Sequence, residues 1–575
     1  MNGAAGRLRA TGRNALLPLL CLFTLLFWVA APRAAEEPPG VAGLTRAEAL
    51  RLGEQLYRKG LLPSGQPAQA IVQGDTEVEA DMFSCESCHM RSGLGSYEGG
   101  VLTTPTNGAV LFKAQFNYRQ PSPDQLKTIP AYMLPLYQAP PRRPAYTDTT
   151  LSVALRDGMD PNGRVLDEVM PRYLLAERDM AILVYYLKSL SPEYSPGVDQ
   201  NTIRLATVVT DRVPAKEREA MLKPLEKYVR GRNSRAKTVE SRAGYGFYAE
   251  WMDLIYRRLS LSVWELKGPP ETWRSQLEEY YRKEPVFALI GGISHGEWRP
   301  VHEFGEEHRI PCLLPATDLP VISQSDWYTL YFSKGHYQEG EAAARFLAAG
   351  EQPDRDGELL QIFRDSAEGR ASAAGFRESW QKLGRKAPAE RMLSAGEAVT
   401  VELLEQATLE KRPAVLLLWT GPEALPLLEK VAALSGRPET IFLSASLLQD
   451  KIGALPEQLR EKSYITYPYA LPAGKGGAHR GNGAPLGRER RIAARMNSLG
   501  LLLTDSLMMM RGEFYRERFF EVIDMLQDRG HPYSAEFERY SFGPGQRYAS
   551  KGCYVVQLSP GPGSELLQKS EWVIH

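Results

Sequence analysis

Cys85-Glu86-Ser87-Cys88-His89 places two thiols three positions apart with an imidazole directly behind the second. That spacing is the attachment pattern of a covalently bound c-type haem. Each thiol adds to one vinyl group, the two-residue spacer matches the separation of those groups, and the adjacent His reaches the iron from one face. A thioredoxin-like pair would follow a strand and open a helix, whereas this motif follows a loop. A zinc site would need two more ligands, and residues 36–200 contain no further Cys or His. The sixth iron ligand must come from the opposite face of the ring, which Met90, next to His89, cannot reach. Of Met133, Met159, Met170 and Met180, the last falls within a helical pattern as a core residue. Met159 sits in the turn Asp157–Gly163. Met170 precedes Pro171, which removes a backbone donor and holds the chain extended before that helix. Met170 is therefore the expected sixth ligand. His/Met ligation raises the reduction potential relative to His/His and leaves no open iron position, which favours electron transfer.

A second candidate site lies downstream. Val286–Ile290 reads as a buried strand running into Gly291-Gly292-Ile293-Ser294 and then a helix. Such a turn sets backbone N–H groups and the Ser294 hydroxyl at a helix N-terminus, ready for a carboxylate. The next strand ends in Pro315-Ala316-Thr317, so Ser294 and Thr317 can meet at the carboxyl edge of a parallel sheet. A tight turn with a capping serine explains the same residues without a ligand. His295, His302 and His308 are close in sequence, but 302 and 308 do not share a helix face, so a metal site is not expected there. No nucleophile elbow, phosphate loop or zinc-protease helix is present.

The elements that must position these residues fall into two textures. The chain has 575 residues, too many for one core, with 43% hydrophobic and 24% charged residues and zero net charge. That balance argues against a nucleic-acid partner, which calls for a basic surplus. Arg7, Arg9 and Arg13 precede an apolar run, Ala15–Ala30, and small residues follow. Residues 1–35 read as a secretory signal, with an uncleaved membrane anchor as the alternative. A helix from Thr45 to Gly60, loop over 60–81, a Gly/Pro-rich stretch from Gly93 to Pro144 and a helix over 175–190 make a first domain, 44–195. Ser195-Pro196-Gly197 marks the boundary. From 200 to 575 apolar runs alternate with amphipathic helices, as in an α/β unit with a parallel sheet. Strands are expected at 203–209, 259–263, 286–290, 359–363, 414–419 and 440–444, and a terminal β-pair at 540–548 with 552–558. Helices are expected at 215–231, 270–283, 297–309, 335–349, 371–383, 422–435 and 486–527. Trp264, Trp273, Trp298 and Trp327 read as packing. Cys312 and Cys553 allow a disulfide after export, or act as two small buried hydrophobes.

The CxxCH, the segment Met170-Pro171-Arg172-Tyr173 and the closing helix with Asp179, Tyr186 and Leu187 resemble the class I cytochrome c family over residues 45–192. The resemblance implies an all-α domain with Met170 as axial ligand. It also implies that the carbonyl of Pro105 fixes the second ring nitrogen of His89. Residues 202–560 resemble the type I periplasmic binding proteins, the group that includes receptors for branched-chain amino acids. The matching pieces are the Gly-Gly-x-Ser turn, Ile310–Thr317, Tyr328–Tyr331 leading into Gln338-Glu339-Gly340, Leu360–Phe363, Trp419–Glu423, Phe542-Gly543-Pro544 and Tyr554–Val556. By that resemblance the domain is two-lobed α/β, Ser294 and Thr317 bind a ligand carboxylate, and Glu423 faces an ammonium group from the second lobe. The segment Asp365–Gly369 departs from amino-acid receptors, which place an aromatic residue there. The expected molecule is an exported periplasmic monohaem cytochrome that exchanges electrons with redox partner proteins. Its α/β domain would bind a small amino-acid-like or carboxylate ligand, or dock a partner. A dehydrogenase subunit and a transporter's substrate receptor with an accessory haem are the alternatives.

Overall fold

The structure is a computed structural model. It describes residues 40–98, 101–114, 143–240, 257–350, 359–433, 438–471, 487–526, 540–561 and 565–574. The expected secretory signal and Met133 lie outside these residues. Among the described residues no helix is long and apolar enough to cross a membrane. The chain forms two compact units, one running to Ser87 with Val110–Ser189, the other comprising Cys88–Ala109 with Leu190–His575.

In the first unit, Thr45 caps helix α1 (Arg46–Lys59) by accepting from Glu48 N–H, and Gly60 ends it with a left-handed backbone. Helix α4 (Glu177–Ser189) buries Met180, Ile182, Leu183, Val184, Tyr186 and Leu187. Gly53 lets α1 and α4 cross closely, since a Cβ there would lie 2.4 Å from the Cβ of Tyr186. Tyr57 and Tyr186 then pack with ring centroids 5.5 Å apart. Between them in sequence come the short helix α2 (Cys85–His89), whose last two residues belong to the second unit, and α3 (Asp148–Asp157), which carries a capping box between Thr147 and Thr150. The unit is not all-α. Strands β1 (Gln69–Val72), β2 (Thr76–Glu79) and β3 (Arg172–Tyr173) form an antiparallel sheet in the order β2-β1-β3. The loop expected over 60–81 thus contains a hairpin, turned by Gln73 and Gly74 at positive φ.

The second unit holds two sheets. The first lobe is all-parallel: β4 (Thr202–Thr210), β5 (Arg258–Leu266), β6 (Ala288–Ile290), β7 (Cys312–Leu313) and β8 (Thr329–Leu330), in the order β8-β7-β6-β4-β5. Helices α5 (Ala215–Glu240), α6 (Trp273–Lys283) and α7 (Arg299–Glu307) cover it. After β8 the chain enters the second lobe through α8 (His336–Ala349). The sheet there comprises β9 (Leu359–Arg364), β10 (Ala389–Leu393), β11 (Val415–Trp419), β12 (Thr440–Ser444), β13 (Ser463–Tyr467), β14 (Gly552–Leu558), β15 (Leu566–Gln568) and β16 (Val573–Ile574). Its order is β10-β9-β11-β12-β13-β14-β15, parallel as far as β13, with β16 also on β14. Helices α9 (Ala367–Lys382), α10 (Val401–Lys411) and α11 (Leu425–Ala433) flank it. The single helix expected over 486–527 is two, α12 (Arg488–Met510) and α13 (Arg516–Asp524), both packed into the core of the first lobe.

One expectation is corrected here, and one open alternative is resolved. Residues 540–548 are not a strand. They run beside the first lobe, where Tyr331 exchanges backbone hydrogen bonds with Arg547 and Ala549, and β14 pairs with β13 instead. Cys312 and Cys553 form no disulfide. Both are free and buried, one in β7 of the first lobe and one in β14 of the second. Burial pushes the Cys312 thiol up to about 12. Trp264, Trp273 and Trp298 are core residues, as expected.

Candidate functional site

Cys85 and Cys88 lie one helical turn apart on α2 and form no disulfide, the first half-buried and the second exposed. The Nδ1 of His89 lies 2.8 Å from the carbonyl oxygen of Thr104. A carbonyl only accepts, so Nδ1 carries the proton and Nε2 keeps a free lone pair. Burial lowers the pKa of His89 and the Thr104 contact opposes this, so the neutral, ligating form is favoured. The expected acceptor was Pro105; the bond is made one residue earlier. Thr103 N–H bonds back to Ser96, and Thr104 is what this registry brings under the ring.

In the first unit the Met170 segment lies beside the first thiol. Tyr173 donates to the Phe83 carbonyl at 2.8 Å, and its oxygen is 3.7 Å from Cys85 Sγ. Met170 is half-buried, with its N–H bonded to Asp167 and its carbonyl to Arg172. Met180 is 1% exposed, a core residue, and Met159 is exposed. Met82, three residues before Cys85, is 72% exposed, a further methionine close to the thiols in sequence. Met82, Phe83, Val165, Val169 and Leu174 are exposed apolar side chains on the segments flanking Cys85 and Met170. The residues present fit a covalently held haem: two thiols one helical turn apart outside any described disulfide, an imidazole fixed through Nδ1, and uncovered apolar side chains.

The second candidate site sits at the carboxyl edges of the two lobe sheets. Ile293 bridges Val209 on one side and Ala316 on the other. Ser294 and Thr317 are therefore abreast, each one residue beyond the paired position. Ser294 does not cap a helix, contrary to expectation. Gly291, Gly292 and Gly296 all have positive φ and prolong the turn, so α7 starts only at Arg299. A Cβ on Gly292 would meet Trp298 at 2.7 Å. Ser294 Oγ donates to the Glu297 carbonyl at 3.2 Å, and Thr317 Oγ1 accepts from Leu319 N–H at 3.1 Å. Glu423 follows β11 at the matching edge of the second lobe, but Arg364, at the end of β9, holds its carboxylate at 2.7 Å. An ammonium ligand would have to compete with that guanidinium.

A cavity of about 330 Å³ opens between the lobes, within the size range of small-molecule pockets. Asp318, Leu319 and Lys334 line it from the first lobe, and Tyr337 and Glu378 from the second. Ser294, Thr317 and Glu423 do not line it, although Thr317 adjoins Asp318. Tyr337 donates to Glu378 at 2.7 Å, and Lys334 Nζ pairs with Glu341 at 2.9 Å. Burial would raise the pKa of Asp318, but Arg495, His336, Arg488 and Arg491 outweigh it and hold the carboxyl well below its ordinary range. Arg495 makes the contact at 3.1 Å. Sequence reading missed this group, although Arg488, Arg491 and Arg495 recur at helical spacing on one face of α12. His295, His302 and His308 go to three different carboxylates, Glu217, Asp326 and Glu278.

Residues 257–480 match the family model described as periplasmic binding protein. No curated protein matches the chain. Among solved structures, a fatty acid ABC transporter substrate-binding protein from Thermomonospora curvata is similar at 13% identity, over 67% of this chain and 95% of that one, with a TM-score of 0.43. A branched chain amino acid ABC transporter protein from Thermus thermophilus with bound valine gives 12%, 66%, 98% and 0.45. A solute binding protein from R. palustris in complex with benzoate gives 14%, 65%, 98% and 0.42. The family-model match, falling on the two-lobed region, identifies that part of the chain as a periplasmic-binding-protein-like α/β domain.

Proposed function

We propose that this chain is an exported receptor for a small molecule, of the kind that serves a transporter, and that it carries an accessory haem. The observation that carries the receptor reading is the family-model match across a region whose two lobes flank an open polar cavity. The ligand meets the Asp318 edge, Lys334 and Tyr337, and Ser294 and Thr317 support that edge. The electron-carrier reading, with redox proteins as partners, is second, and it is favoured by the His89–Thr104 contact. Cys85 and Cys88 would hold the haem as thioethers, and His89 and Met170 would supply ligands to its iron. When bound, the haem supplies one-electron redox chemistry. His89 contributes a neutral imidazole in fixed orientation.

The receptor reading is tested by melting the full chain against amino acids, aromatic and aliphatic carboxylates, alcohols and sugars, starting with valine and benzoate. A ligand that binds only the folded state adds about 2.7 kcal/mol at a hundredfold excess over its Kd. A dose-dependent rise is expected for one class; no rise for any class contradicts the reading. Haem attachment is tested by the pyridine haemochrome spectrum after export in a host that matures c-type cytochromes. Covalent haem is expected in the wild type and not in Cys85→Ser/Cys88→Ser; absence from the wild type contradicts it.

A further inference from the structure

His89 belongs to a segment, Cys88–Ala109, that is built into the binding unit. The loop after His89 is closed on itself. Gly95 N–H bonds to the His89 carbonyl at 3.0 Å, Thr103 N–H to Ser96 at 2.9 Å and Thr106 N–H to Gly93 at 2.7 Å. Tyr97–Glu98 pairs antiparallel with Val101–Leu102, and Thr104 at the end of this loop holds the His89 ring. The whole loop is pinned from one side. Ser92 is fully buried, and both its N–H, at 2.6 Å, and its hydroxyl, at 2.8 Å, donate to the carboxylate of Glu521 on α13. Glu521 is itself 3% exposed. Ser191 donates to the Ser92 carbonyl at 3.0 Å, and the Arg91 guanidinium stacks on Trp327 at 4.1 Å.

The same helix grips the first-lobe sheet. Arg516, five residues before Glu521, donates to the Val286 and Phe287 carbonyls just ahead of β6 and to the His308 carbonyl after α7. Strand β6 leads into the turn that carries Ser294. A short helix thus holds the segment leading into β6 at one end and the His89 loop at the other. The two Ser92 donors share this buried carboxylate with Arg518, at 3.4 Å, and breaking the link leaves unmatched polar groups inside the protein.

We propose that Glu521 is a positioning residue for His89, fixing through Ser92 the loop that orients the imidazole, so that the first lobe sets the ligand field of the haem. This rests on the haem reading given above. The test uses the full chain, matured with haem, and measures the midpoint potential and visible spectrum of Glu521→Ala, Glu521→Gln and Glu517→Gln. Glu517, on the same helix, bonds Tyr328 and not the loop. Glu521→Ala should shift both the potential and the spectrum. Glu521→Gln, whose amide oxygen still accepts from Ser92 N–H, should shift them less, and Glu517→Gln should leave them at the wild-type values. A haem-loaded, folded Glu521→Ala with wild-type potential and spectrum overturns the proposal. If Glu521→Ala does not fold, Ser92→Ala, which removes the hydroxyl's bonds to Glu521 and from Leu94 N–H but keeps the Ser92 N–H bond to Glu521, is read by the same two outcomes. A wild type without covalent haem also overturns it, and the haemochrome spectrum identifies that failure as one of the cofactor reading.

Discussion

Asp524, at the end of α13, faces Arg547 at 3.1 Å. Burial raises its carboxyl pKa to about 6 from an ordinary 3.8, against the opposing pull of the guanidinium. A raised carboxyl binds its proton more tightly when folded, so between pH 3.8 and about 6 the folded state holds more proton than the unfolded one. Stability from this group is therefore greatest below that window and falls as pH rises through it, by about 2 to 3 kcal/mol in all. Asp524→Asn should flatten the urea midpoint between pH 4 and 6. An unchanged slope would show that Asp524 does not titrate there. At this scale the sequence was informative where chemistry is local. The Cys85–His89 spacing needs no tertiary partner to be read, and a carbonyl acceptor for His89 exists where the resemblance placed one, displaced from Pro105 to Thr104 by loop registry. It was uninformative where partners come from afar. Nothing near Glu423 in sequence points to Arg364, and nothing near Ser92 points to Glu521, 429 positions on.

Elements with strong local signals were legible. Thr45 and Gly60 bracket α1 as expected, and the runs at 202–210, 359–364 and 440–444 form strands because continuous apolar stretches suit a sheet covered on both faces. The β1–β2 hairpin was missed because its strands are four residues long and bury only Ala70 fully. Helix α10 was missed because only Leu404 and Thr408 of its length are buried, so it shows little apolar periodicity. The aromatic run at 540–548 was misread because Tyr540 and Phe542 are there to pack, Tyr540 against Phe332, and not to pair in a sheet. The crossing of α1 and α4 gives an element-scale prediction. Gly53→Val puts carbon where Tyr186 Cβ and the Ile182 carbonyl already stand, at 2.4 and 2.9 Å from the new Cβ. Forced overpacking costs about 1 to 3 kcal/mol. Hydrogen exchange of the full chain should show residues 46–59 and 177–189 losing protection together while β4 to β8 keep theirs. Unchanged protection at both helices would mean that the crossing is not tight.

For the whole molecule, the alternation of strands and helices after residue 200 was enough to expect two α/β lobes, since parallel strands need crossover helices. What it could not supply is which side chains face the space between them, because Asp318, Lys334 and Glu378 come from three separate segments. The receptor reading depends on that space. The direct measurement is calorimetric titration of the full chain, wild type and Lys334→Ala, with whichever compound raises the melting temperature most. The expected result is one saturable site per chain, weakened about tenfold or more in Lys334→Ala, as for loss of a charge-assisted contact worth roughly 1.5 to 3 kcal/mol. Equal affinity in the two proteins would place the ligand elsewhere, and heats that never saturate would contradict a receptor altogether.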